Sequence, residues 1–149
     1  MPGQVPTLHS VGCMAHIQKF EQVQPTLFRV VCQGGLRFKL DNPTVGNLGV
    51  WQGDVTYLAQ DPSTEVPAHL QAYADRLGKV IASAQRQGVI DELSIFPPYQ
   101  LDQCGWLANR YAEALPVSVD AKLQLLSELD PLQRLKLVIR LMQDENSDR

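Results

Sequence analysis

No apolar run in the 149-residue sequence is long enough to cross a bilayer, a task that takes about 20 residues. The first ten residues, MPGQVPTLHS, lack the basic start and apolar stretch of a secretory signal. Together these absences give the expectation of a cytoplasmic chain. Cysteine is scarce. Cys13, Cys32 and Cys104 are odd in number and irregular in spacing, which argues against a disulfide framework and for reduced, mostly buried thiols. Positive charge is also short: 13 Lys and Arg against 16 Asp and Glu leave a net charge of −3 and a pI near 5.5. Such a balance exerts no global pull on nucleic acid or anionic membrane. What is present is enough for a core, with 44% hydrophobic residues in a length that suits one domain or two small ones.

The hydrophobic pattern changes period midway. Residues 11–18 alternate, with Val11, Cys13, Ala15 and Ile17 on one side, as in a half-buried strand. A second strand is expected at 26–33, with Phe28, Val30 and Cys32 facing one way and Gln24-Pro25 making the turn before it. Gly34-Gly35 reads as a tight turn or bulge. Leu36, Phe38 and Leu40 then mark a third strand, residues 42–49 a loop, and residues 50–58 a fourth strand with Trp51, Val55 and Tyr57 on one face. From Val66 the spacing is helical, with Leu70, Tyr73, Leu77, Val80, Ile81 and Ala84 inward as far as Gly88.

An apolar connection at 89–101 contains Pro97-Pro98, which cannot lie inside a helix. A helix over 102–115 buries Leu107, Tyr111 and Leu115. Ser118 caps the next, which carries Leu123, Leu126 and Leu129. Asp130-Pro131 opens the last helix, Asp as N-cap and Pro at the first helical position, with Gln133 placed to reach back to the cap. That helix buries Leu132, Leu135, Val138, Ile139 and Met142, and the residues after it form a charged tail. Strands followed by helices argue for an α+β fold with segregated halves, dividing as 1–62 and 63–149.

Chemistry is harder to find. No G-x-x-x-x-G-K-[ST] phosphate loop occurs. Lys79 and Ser83 share a helix face, but Asp75, Arg76 and Arg86 lie near them on a solvated side, so the amine is not set up as a base. Cys13 and His16 mimic half a metal site, yet an odd separation on a strand sends them to opposite faces, and no second pair completes the set. Neither a metal nor a cofactor is therefore expected. His9 and His69 are isolated, and Asp91-Glu92 is a solvated turn. Arg29, Arg37 and Lys39 form a small basic strand face, weak support for RNA binding in an acidic chain. Phe96, Pro97, Pro98 and Tyr99 make an aromatic connection of the kind that marks an interaction site when exposed. Alternatively Phe96 and Tyr99 plug the gap between the two halves. Trp51 joins them as a candidate contact residue, although Trp51 and Trp106 also fit a core.

In order along the chain, GCMAHI at 12–17, GLRFKL at 35–40, GDVTYL at 53–58 and the stretch 115–141 with its leucine-rich helix, Asp130-Pro131 and an Arg-Leu helix resemble the LON domain. This is the N-terminal substrate-binding domain of ATP-dependent Lon proteases, also found as a stand-alone protein. The resemblance spans nearly the whole chain. It implies a partial PUA-like β-barrel followed by an α-helical bundle. It also implies binding of unfolded or flexible polypeptides without catalysis, in protein quality control. The family's opening segment, roughly P-L-F-P and then L-P-L-x-I-F-E-x-R-Y, does not precede GCMAHI. The resemblance therefore implies a truncated barrel with unpaired strand edges, a route to homo-oligomers. The charged residues that follow the last helix favour a stand-alone chain. Two alternatives stay open: a substrate-recognition fragment of a longer ATP-dependent protease, and a PUA-like RNA-binding module.

Overall fold

The computed structural model describes residues 8–147; the first seven residues and the end of the charged tail lie outside it. The chain divides into two compact units, with the break between Gln60 and Asp61. The first is a sheet and the second is helical, an α+β arrangement as the change of period requires.

The sheet has three antiparallel strands in the order β1-β2-β3: β1 at Val11–Gln24, β2 at Leu27–Val45 and β3 at Trp51–Tyr57. Gln24 and Leu27 close a tight hairpin around Pro25. The expected second and third strands are one. Gly34-Gly35 makes no turn but lies inside β2, where the ladder slips by one residue between Cys13 and Ala15 on β1. Here the bulge, not the turn, is the conformation adopted. A side chain at Gly35 would run into the His16 ring, about 2.5 Å from its Nε2, so the glycine serves a close cross-strand approach. The expected loop at 42–49 is also shortened, because β2 continues to Val45 before a 3-10 turn at Asn47–Gly49.

No described residue from 8 to 60 is buried. Three strands have no second layer within their own unit, so both faces keep contact with solvent. Ile17 is 65% exposed and Phe20 61%. Cys13 and Cys32, expected in the core, are exposed for the same reason. Alternation therefore locates the strands correctly while overstating what they bury.

The helical unit holds the core. Its helices are α1 at Gln71–Gln87, α2 at Cys104–Ala114, α3 at Val119–Ser127 and α4 at Pro131–Ser147, with 3-10 turns at Ala68–Leu70 and Ile90–Leu93. Leu70, Ala74, Leu77, Ile81, Cys104, Leu107, Ala108, Leu115, Leu125, Leu135, Val138 and Ile139 form one buried cluster. In α1 the buried stripe is 70, 74, 77, 81 and 84. Ala74 takes the place expected for Val80, which is 48% exposed. In α3 the innermost leucine is Leu125, while Leu129 is half exposed. Tyr111 is partly buried and donates its hydroxyl to the Tyr73 carbonyl at 2.7 Å, with the two rings edge to face.

Both expected caps form. Ser118 accepts from the Ala121 N–H at 3.2 Å, and Asp130 Oδ1 accepts from Leu132 and Gln133 N–H at 2.8 and 3.1 Å. The reciprocal half of the last cap differs from expectation. Glu128, not Gln133, accepts from the Asp130 N–H, at 2.9 Å.

Candidate functional site

The helical unit begins with an extended segment, residues 61–66, laid beside the start of α2. Cys104 N–H donates to the Thr64 carbonyl and Val66 N–H to the Asp102 carbonyl, both at 2.8 Å. Gln103, the residue before α2, does not cap its own helix. Its Oε1 instead accepts from the Thr64 N–H and the Ser63 hydroxyl, each at 3.0 Å.

This segment is fixed further by Arg134 of α4, which is 2% exposed. Its guanidinium takes Asp61 in a two-pronged pair at 2.6 and 2.8 Å. It also donates to the Glu128 carbonyl through Nε and Nη2, and to Asn109 Oδ1 at 3.4 Å. A planar fork that fills its donors on a carboxylate and carbonyls is the arrangement in which a guanidinium tolerates burial. The fit is close: a side chain at Gly105 would strike the Asp61 carboxylate, so α2 needs glycine there.

Between the segment and α2 opens a cleft of about 580 Å³. Asp61, Pro62 and Ser63 form one side. Gln100, Asp102 and Gln103 approach from the turn before α2, and Gly105, Trp106 and Asn109 from the helix itself. Its size is that of small-ligand and peptide-side-chain sites. Trp106 brings the apolar element. Tyr99 meets it edge-on with ring centroids 6.4 Å apart, and the Arg110 guanidinium lies 5.9 Å from its ring centroid.

The lining offers side-chain amides, a hydroxyl, an exposed carboxylate and an indole, which together can donate to and accept from an extended peptide backbone. The neighbouring thiol, Cys104, is buried, and burial followed by the negative Asp130 pushes its pKa up. That keeps it protonated and inert near neutral pH. Among the described residues no group of three His, Cys, Asp or Glu is placed to hold a metal.

Of the residues singled out from sequence, Phe96, Pro97, Pro98 and Tyr99 lie together in the connection ahead of α2. Phe96 is half-buried, Pro97 and Pro98 are exposed across a cis peptide, and Tyr99 packs on the helical core while touching Trp106. Trp51 belongs to the other unit. It opens β3, pairs with Val45 and is half-buried. Gln100, Asp102 and Asn109 are lining residues that sequence reading passed over. The Gln-Leu-Asp-Gln run at 100–103, just ahead of a helix with a tryptophan in its first turn, is the local signal they leave.

Ser83 Oγ accepts from Gln87 Nε2 at 3.2 Å. Cys13 donates weakly to the Gly35 carbonyl. On the basic strand face, Lys39 lies 3.6 Å from Asp41 and Arg29 stands opposite Glu21. Hydrogen bonding from Lys19, with the charges of Lys19 and Arg29, lowers the Glu21 pKa. Acids thus accompany these two cations.

Comparison with known proteins bears on the whole chain. A search of the curated proteins finds no match. Among solved structures, the Lon N-terminal domain protein from Xanthomonas campestris is similar with a TM-score of 0.66 and 24% identity, covering 89% of this chain and 68% of that one. The N-terminal domain of Mycobacterium avium complex Lon protease is similar with a TM-score of 0.57 and 22% identity, covering 95% of this chain and 74% of that one. At these identities the likeness is one of fold. The family described as ATP-dependent protease La (LON) substrate-binding domain matches residues 2–144, and the chain belongs to that family.

Proposed function

We propose that this LON domain binds unfolded or flexible polypeptide segments and holds them without cleaving them, as part of cytoplasmic protein quality control. One observation carries the reading: the aromatic connection at 96–99 borders the cleft before α2 through the Tyr99–Trp106 contact. An apolar wall beside amide groups suits a partner recognised mainly by its main chain, with one aromatic or aliphatic side chain as anchor. Phe96, Pro97, Pro98 and Tyr99 are the contact residues of this proposal. Trp51 is a separate contact on the sheet unit, and exposed strand edges add a route to homo-oligomers. Serving as the substrate-recognition part of an ATP-dependent Lon protease uses the same surface.

Binding of unfolded casein by the whole chain tests the proposal. Replacing Phe96 and Gln100 together by Ala is expected to weaken binding about tenfold or more, the loss of one anchor and its neighbouring hydrogen bonds. The helical circular dichroism should not change, because neither residue belongs to the buried cluster. Undiminished casein binding by this variant, or RNA binding with a steep salt dependence in place of casein binding, contradicts it.

A further inference from the structure

The outer edge of β1 is self-complementary. Among the described residues β1 is an edge strand, so one row of its backbone N–H and C=O groups is unpaired within the described sheet. From Lys19 to Gln22 its ladder to β2 is regular, each residue facing one partner, with register shifts on either side. This short run carries Lys19 and Glu21, which lie 2.7 Å apart with side chains 60% and 40% exposed. Phe20 within it and Ile17 and Val23 on either side are all more than half exposed.

We infer that two copies of this chain associate through β1, antiparallel about a two-fold axis at Phe20. Residues directly opposite in an antiparallel pair share a face, so a two-fold normal to the sheet matches odd positions with odd and even with even. Centred on Phe20, within the regular run, it sets Lys19 against Glu21 twice and Phe20 against itself. Shifting the centre by one residue puts Lys19 against Lys19 or Glu21 against Glu21, which repel. The charges therefore favour this register over the two adjacent to it. Phe20 already stacks against Phe28 of β2, with centroids 5.2 Å apart, so the joint brings two such pairs together across the axis. β3, the other edge, carries a single charge, Asp54, and offers no such match. The result is an isologous dimer with one continuous six-stranded sheet.

The inference rests on the exposed-edge part of the proposed function and not on the cleft, and the two fail separately. The test is the solution mass of the whole chain, by light scattering, for wild type, Lys19→Glu, Glu21→Lys and an equal mixture of the two variants. Wild type is expected as a dimer. Each variant alone is expected as a monomer, because like charges then meet across the axis. The mixture is expected to recover the dimer, because the doubly acidic edge of one variant then meets the doubly basic edge of the other. Loss of the intrachain Lys19–Glu21 pair alone would give no such recovery. A monomeric wild type, with the edge covered by the chain's own residues, overturns the inference. So do higher polymers, variants that stay dimeric, and a mixture that stays monomeric. Casein binding at the cleft is unaffected by any of these results.

Discussion

Arg134 and Asp61 are 73 residues apart and meet in a pair with little contact with water: Arg134 is 2% exposed and the Asp61 side chain 25%. Removing one partner of such a pair strands the other, at a cost of about 3–5 kcal/mol. Arg134→Met is expected toward the lower end of that range, since Asp61 keeps some solvent. Asp61→Ala is expected toward the upper end, since it leaves the guanidinium buried. Arg140, exposed on the same helix, is expected to change stability by no more than about 0.5 kcal/mol on replacement by Ala. Urea unfolding followed by helical circular dichroism checks all three. Nothing in the sequence singles out Arg134 from the other cations of the last helix. Nothing local marks which of the acids it takes, because the pairing depends on how α4 lies against the segment after residue 60. A second outcome concerns the thiols. Cys13 and Cys32 should react promptly with a water-soluble thiol reagent. Cys104, at 0% exposure and with its pKa raised by burial, should react only on unfolding. Equal rates for all three would contradict this.

At the level of elements, the helices were more legible than the strands. Asp130-Pro131 marks the start of α4 because both residues act locally: the carboxylate accepts from the first-turn N–H groups and the ring fits the first helical position. Asp130→Ala is therefore expected to cost about 1 kcal/mol, and Asp130→Asn much less. Thermal unfolding would show the difference, and equal losses from the two would contradict the capping role. Which leucines turn inward was less clear. Leucines at 123, 125 and 126 cover much of the circumference of α3, and only packing against neighbouring helices chooses Leu125. Gly34-Gly35 misled for a related reason. Two glycines suit a turn, but the same freedom suits a bulge in a continuous strand beside the His16 ring. Sequence alone does not rank these two uses.

For the whole molecule, the change of hydrophobic period at Val66 was enough to place sheet before helices. It could not reveal how unequal the two units are. One has a contiguous buried cluster, and the other has no buried residue between 8 and 60. Alternation reports which residues suit a pleated surface, not whether anything covers it. The cleft was half legible. Its aromatic border at 96–99 stood out by composition, whereas Gln100, Asp102 and Asn109 look like ordinary polar surface until the chain folds them around Trp106. Amide hydrogen exchange, with and without unfolded casein, reads both features at once. Without casein, amides in the core of α1, α2 and α4 should be the slowest, and those of the sheet much faster, because local opening there exposes little new apolar surface. With casein, the account predicts slowed exchange at the cleft, in the stretch 99–109. Exchange there that is the same with and without casein would contradict the central claim that this LON domain holds polypeptide at that site.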